Sequence, residues 1–124
     1  MQAMARPSED RSFFLKKSGD IERVKKTGRR LSTPLFNLVS CRSDLSHARV
    51  GVIVGKRLGG AVTRNRAKRV FRELARQVRR QLTPGRDLLV FPRHGALAAT
   101  HQALRDAWLT ALRQQALVRS SDES

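Results

Sequence analysis

The sequence holds a single cysteine, Cys41, among its 124 residues. An intramolecular disulfide is therefore impossible, and no cysteine-rich zinc site can form. A reducing compartment suits such a chain. Aromatic residues make up only 5% of it, so the core must be mostly aliphatic. Acids are scarce as well, ten against 26 Lys and Arg. They show no obvious cluster for two-metal hydrolysis. No apolar run reaches the ~18 residues of a spanning helix. The stretch from Met1 to Lys17 is polar and carries acids, unlike the apolar centre of a signal peptide. A cytoplasmic protein with no membrane partner is the expectation.

What is present suffices for one domain. Hydrophobic residues make up 40%, and a chain of this size buries roughly 65% of its unfolded surface. Residues 1–14 read as a disordered lead with Pro7, Ser8 and mixed charges. Residues 119–124 read as a fraying polar tail. The domain is expected to span 15–118, with no internal repeat or long linker.

Periodicity predicts the elements between those ends. Ser18 to Lys26 reads as a short helix capped by Ser18 and stopped by Gly28, with Ile21 and Val24 on one face. Arg30 to Cys41 reads as extended, with Pro34 at its entry or edge. Arg49 to Val54, the β-branched run RVGVIV, is the plainest strand. Ala67, Val70, Phe71, Leu74, Ala75, Val78 and Leu82 recur every three or four residues, predicting a helix from Val62 to about Leu82. Pro84 and Gly85 end it. Asp87 to Phe91 is a short buried strand broken by Pro92 and Gly95. Thr100 to Leu117 is a second long helix with Leu104, Ala107, Trp108, Ala111 and Leu112 inward. The order α-β-β-α-β-α implies a two-layer α/β (α+β) sandwich with a small mixed sheet. Phe71 and Trp108 are expected in the core, and Cys41 as a small buried strand residue.

Charge is distributed unevenly. From Lys56 to Arg80 there are ten cations and one acid, Glu73. Arg69, Arg72, Arg76, Arg79 and Arg80 avoid the apolar stripe of their helix, so they form a cationic ridge backed by a packed face. Solvated helix faces ordinarily mix both signs; a one-signed ridge tracks phosphates. A membrane-surface helix would need exposed bulky apolar residues beside the cations, and here the apolar residues are required by the core. Arginine predominates, and its planar fork suits phosphates and base edges. In Arg64-Asn65-Arg66 an amide between two guanidiniums can bond a sugar or base while its neighbours hold phosphates.

The string from Lys56 to Arg69, KRLGGAVTRNRAKR, fits the pattern K-[KR]-x-G-x-A-V-x-R-N-R-x-K-R, after a strand and leading into a helix. This resembles the signature of the bacterial ribonuclease P protein family. The resemblance extends from about Leu15 to Leu117 and includes Gly28 after the first helix and Arg49-Val50-Gly51 in a strand. It implies a left-handed crossover between the strands flanking the R-N-R helix, against the right-handed default. It implies that a partner RNA subunit holds the active site and requires Mg2+, that the protein needs no cofactor, and that ribonuclease P RNA pairs with it 1:1. It also implies a second partner, precursor tRNA, whose 5′ leader lies in a cleft between the first helix and the sheet.

Residue by residue, the resemblance assigns Arg64, Asn65, Arg66, Lys68, Arg69, Arg72 and Arg76 to the RNA subunit. It assigns Lys56 and Arg57 to the cleft mouth. Ile21, Lys25 and Val39 stand at cleft positions where the family commonly has aromatics. Phe36 is a candidate cleft aromatic, or else a core residue. Phe13 and Phe14 either staple the terminus to the body or supply a replacement stacking surface. Gly60 stands where the family commonly has Asn. No catalytic residue or metal ligand is expected in the protein: His47, His94 and His101 are scattered, without a carboxylate at triad or metal spacing.

Three other functions compete with this reading. A general RNA-binding or ribosomal-type protein would share the charge but has no reason to carry the full signature. A DNA-binding helix-turn-helix needs two helices joined by a short turn, and here a strand separates the long helices. An autonomous nuclease would cleave without RNA.

Overall fold

The computed structural model describes residues 12–118. Of the disordered lead expected at 1–14, residues 1–11 lie outside the described residues, as does the tail expected at 119–124. Phe13 and Phe14, also placed in the lead by the sequence, belong to the body: both are buried, Phe14 bridges Val50, and the Leu15 amide donates to the Val50 carbonyl at 2.8 Å.

Helix α1 runs Ser18–Thr27. Lys17 occupies the cap position without a side-chain bond, so Ser18 is the first helical residue and not the cap. Asp20 in the first turn and Lys25 and Lys26 in the last complement the helix dipole. Gly28 ends the helix for a steric reason. A Cβ there would lie 2.5 Å from Val39 Cγ1 and 2.6 Å from the Val24 carbonyl, so only glycine lets the chain pass so close to the sheet.

The extended stretch expected at 30–41 is two strands, β1 (Arg29–Ser32) and β2 (Phe36–Arg42). Thr33 folds the chain between them: its hydroxyl oxygen accepts from the amides of Leu35 at 3.2 Å and Phe36 at 2.9 Å. Such local side-chain turns leave the hydrophobic pattern intact and so escape a periodicity reading. Strand β3 (Arg49–Val52) follows, and α2 (Ala61–Gln77) comes after a 3-10 turn at Lys56–Leu58. The α2 stripe was expected to reach Leu82. It breaks at Val78 into a second 3-10 turn, Arg79–Gln81, which keeps Val78 and Leu82 buried. Strand β4 spans Arg86–Pro92.

Gly95, expected only as a breaker, lies within a short helix α3 (His94–Ala98). A Cβ at Gly95 would lie 2.7 Å from the Pro34 carbonyl, so α3 packs tightly on the β1–β2 turn. Thr100 caps α4 (His101–Gln114) by accepting from the Ala103 amide at 3.0 Å. That helix stops before Leu117 because Ala116 turns left-handed at φ 57°. The Leu117 amide then bonds the Leu112 carbonyl at 2.8 Å, a Schellman closure. The observed order is α-β-β-β-α-β-α-α.

The sheet order is β1-β2-β4-β3, antiparallel except for the parallel β3–β4 pair joined through α2. Strand alternation gives the sheet two faces. One carries Phe36, Leu38, Val50, Val52, Leu88 and Val90 into the main core, with Phe71 and Leu74 of α2 and Trp108 of α4. Phe36, Phe71 and Trp108 meet edge to face with centroids 5.7–6.4 Å apart. The opposite face carries Val39 and Leu89, which pack with Leu15 and with Val24 of α1. The expected two-layer sandwich is thus the sheet on α2 and α4, and α1 adds a partial layer behind it.

Candidate nucleic-acid interface

Helix α2 is amphipathic with charge. Ala67, Phe71, Leu74 and Ala75 are buried, and Asn65, Arg66, Arg69 and Arg76 are exposed. At 3.6 residues per turn the exposed set lies opposite the buried one. Lys68 and Arg72 are half-buried on the flank of the ridge, as is Arg64, whose Nε is buried without a hydrogen-bond partner. Gly60 at the cap position offers no side chain to the first-turn amides of α2, so this helix end keeps its positive character beside exposed Lys56 and Arg57. Val62 shares the outward side and is 82% exposed, an apolar residue beside the cations that periodicity did not single out.

The ridge is not uniformly open. The Arg72 and Arg76 guanidiniums lie over the Phe14 ring at 5.8 and 5.2 Å, and Arg79 lies over Phe13 at 4.8 Å. Arg76 also pairs with Glu73 at 3.5 Å. The two phenylalanines, edge to face at 4.9 Å, therefore underlie the C-terminal half of the ridge. This settles their role as a staple: both rings are buried and covered by cations, and they offer no free face to a leader base. Each guanidinium–ring contact is worth ~0.5–1 kcal/mol and holds the charge in a set orientation.

On the other face, α1 is fastened by charge. Asp87 is fully buried. Arg49 donates to both its oxygens, Nε to Oδ1 at 3.0 Å and Nη2 to Oδ2 at 2.8 Å. Arg23 of α1 donates to Oδ2 from the helix side, and Asp20 closes the group by accepting from Arg49 at 3.3 Å. Burial alone would push the Asp87 carboxyl up; the hydrogen bonds from Arg49 and Arg23 outweigh it and hold the group below its ordinary value. Both guanidiniums are raised, first by their bonds to Asp87. Cys41 is half-buried here and its Sγ accepts from Arg23 at 3.2 Å.

Cross-strand rows on this face run Cys41–Asp87, Val39–Leu89, Asn37–Phe91. Helix α1 covers the first two. The third row opens into a pocket of about 540 Å³ whose lining includes Asn37, Ile53, Phe91, Arg57, Arg93 and His94. Asn37 lines it, and its Oδ1 is buried with no hydrogen-bond partner; an unmet buried acceptor of this kind costs ~1–3 kcal/mol. Arg93 is tied to the Thr33 carbonyl at 2.9 Å, which fixes the β1–β2 turn as a wall.

The expected cleft residues divide on this geometry. Arg57 lines the pocket, and Lys56 is exposed one residue before it. Ile21 packs on the small cluster under α1, and Lys25 pairs with Glu22 at 3.6 Å. Phe36 is a correction: it is fully buried on the opposite face of the sheet, because even and odd positions of a strand point apart. Val39 is another, fully buried beneath α1. Phe91, half-buried in the pocket, was read in sequence only as the end of a strand. Its cross-strand partner Asn37 was not singled out at all. Neither has a sequence signal, because the pairing that joins them spans 54 residues.

A one-signed helix ridge and an aromatic-bearing hollow on the opposite face, carried by one small mixed sheet, define an RNA-binding protein of the α+β class. A match to the Ribonuclease P family spans residues 10–116, and the chain belongs to that family. The ribonuclease P protein component of Herpetosiphon aurantiacus is 39% identical over 106 residues, covering 86% of this chain and 85% of that one. Among solved structures, a Staphylococcus aureus RNase P protein, a mutant with defective mRNA degradation activity, superposes with a TM-score of 0.82 at 26% identity. It covers 89% of this chain and 93% of that one. The Thermotoga maritima RNase P protein gives 0.74 at 25% identity, covering 81% and 94%.

Proposed function

We propose that this chain is the protein subunit of a bacterial ribonuclease P ribonucleoprotein, assisting removal of the 5′ leader from precursor tRNA. One observation carries the reading: the full signature from Lys56 to Arg69 runs through a 3-10 turn into the first half of α2, a helix whose outward side is cationic. Arg64, Asn65, Arg66, Lys68 and Arg69 are assigned to the RNA subunit in a 1:1 complex, with Arg72 and Arg76 extending the contact over Phe14. Lys56 and Arg57 are assigned to the leader near the pocket.

Catalysis is assigned to the RNA subunit, with Mg2+ on its phosphates. Among the described residues no group of three His, Cys, Asp or Glu side chains converges to hold a metal ion. No helix among the described residues is long and apolar enough to cross a membrane. The cytoplasm, where precursor tRNA is made, is the proposed location.

The test is cleavage of a precursor tRNA by a bacterial ribonuclease P RNA at low magnesium, with and without the purified chain. The expected result is 5′ cleavage restored by the chain, which alone cleaves nothing. Binding of many RNAs without stimulation would instead support a general RNA-binding or ribosomal-type protein.

A further inference from the structure

We propose that Arg29, Arg42 and Arg86 form a phosphate clamp for RNA, built from three neighbouring strands and distinct from both the α2 ridge and the hollow. The inference rests on the ribonuclease P reading and adds to it a contact outside the Lys56–Arg69 signature.

Strand register brings the three arginines together. Arg42 and Arg86 are direct cross-strand partners at the end of the β2–β4 pair, so their Cβ atoms stand ~4.5–5.5 Å apart. Arg29 lies opposite Ser40, on the diagonal from Arg42 and ~7–8 Å from it. Partners across a ladder share a face, and alternate residues of a strand do too. All three therefore lie on the face that carries Leu38 and Leu88 into the main core, at the end of the sheet away from the Asn37–Phe91 row. Arg29 and Arg42 are exposed and Arg86 is half-buried.

Like charges set directly opposite each other destabilise a sheet, and here no carboxylate offsets them. Asp87 follows Arg86 in sequence but points to the opposite face, where Arg49 and Arg23 hold its oxygens. Asp20, Glu22 and Glu73 pair with other cations, and Asp106 bonds Gln102 on α4. Asp44, in the exposed loop after β2, makes no ion pair among the described residues. Nor do the guanidiniums of Arg29, Arg42 and Arg86 make any hydrogen bond or ion pair among them. A phosphate placed between Arg42 and Arg86 removes the repulsion and accepts from both planar forks.

The position favours a nucleic-acid backbone. Strands β3 and β4 are parallel, so α2 must return the chain to the end where both begin. Arg79 and Arg80, in the 3-10 turn after α2, lead into β4 at Arg86. The clamp thus lies at the far end of the ridge, and a chain of phosphates can engage both. An acidic protein surface would meet the same charge but lacks that regular series of anions.

The experiment titrates a bacterial ribonuclease P RNA with the full chain, and mature tRNA with the reconstituted holoenzyme, each over a range of salt. Arg42→Gln, Arg86→Gln and the double variant are compared with Arg105→Gln, which removes the same charge from an exposed position on α4. Each clamp variant should weaken one of the two titrations about tenfold and lower the slope of log affinity against log salt by about 0.7–0.9. The double variant should lose less than the two single losses combined, because both forks grip one phosphate. Arg29→Gln should weaken the same titration by a smaller factor, and Arg105→Gln should leave both unmoved. Removing one of two opposed like charges relieves repulsion, so the urea midpoints should not fall, which separates a lost contact from a lost fold.

A loss confined to the first titration assigns the phosphate to the RNA subunit, and one confined to the second assigns it to tRNA; either supports the clamp. Losses that simply add would overturn it. Losses no larger than that of Arg105→Gln would also overturn it, leaving an acidic protein surface as the ligand and the ribonuclease P reading standing. If the wild-type chain neither binds ribonuclease P RNA nor stimulates its cleavage, both fall.

Discussion

Phe36 and Asn37 are neighbours in one strand, yet they meet opposite surroundings. Phe36 enters a closed core of aliphatic side chains under α2 and α4, where it meets the rings of Phe71 and Trp108. Asn37 lies on the side of an open hollow beyond the end of α1, with its side-chain Oδ1 buried and unmet. The α2 face is closed by hydrophobic area, and the helix that closes it carries the cationic ridge on its back. The α1 face is closed only in part, by a small apolar cluster and a buried carboxylate between two arginines, and its last row stays open. One side of the sheet thus couples stability to a charged surface, and the other leaves room for a ligand.

The strongest test of that contrast sits on the closed side. Phe36→Ala should destabilise the fold by about 3–5 kcal/mol, the usual range for a buried aromatic truncated to alanine, measured by urea unfolding. Phe91→Ala, one cross-strand row away, should cost far less. Equal losses would erase the distinction between the faces.

Next in size is the fastening of α1. Asp87→Ala should cost about 2–3 kcal/mol, below the 3–5 of a fully buried orphaned charge because the arginines left behind reach solvent. The same carboxylate gives the α1 face an acid limit. Its pKa is lower folded than unfolded, so its contribution is full above the ordinary Asp value of about 4 and fades as pH falls through the folded value. The urea midpoint of the wild type should therefore drop below about pH 4, and the gap to Asp87→Ala should narrow there. A gap that stays constant down to pH 2 would contradict the ion-pair role.

The ridge should respond to salt. Arg66→Ala and Arg69→Ala should each weaken binding of the RNA subunit and lower the slope of log affinity against log salt by about 0.7–0.9. Leader preference should be unmoved, since neither residue lines the hollow. The smallest effect is expected from Phe14→Leu, which keeps apolar volume but loses the ring under Arg72 and Arg76. RNA-subunit affinity should fall by about 0.5–1 kcal/mol, and combining it with Arg76→Ala should give less than the sum of the two losses.

Much of the α2 side is local in sequence and so was legible there. The spacing of Ala67, Phe71 and Leu74 encodes the buried stripe, the cations between them encode the ridge, and the signature from Lys56 to Arg69 is contiguous. The strand expected at Arg49–Val54 is likewise a property of a short window, and it ends two residues earlier, at Val52. The Thr33 turn and the left-handed Ala116 were not legible because local hydrogen bonds make them without changing the hydrophobic pattern, and the helical Gly95 was not because it answers a contact with Pro34 far away in sequence.

The cleft belongs to tertiary structure. Which way Phe36 and Val39 face follows from strand register, and a shift of one residue would exchange the two faces. Asp87 finds Arg23 and Arg49 only because β3 and α1 converge on β4. Phe91 meets Asn37 only because β2 and β4 pair across the whole of α2. Sequence by itself determined the charge, the first helix, the two long helices and the family, since those depend on neighbours along the chain. The location of the open hollow, and the side chains that line it, were decided by pairing between distant strands.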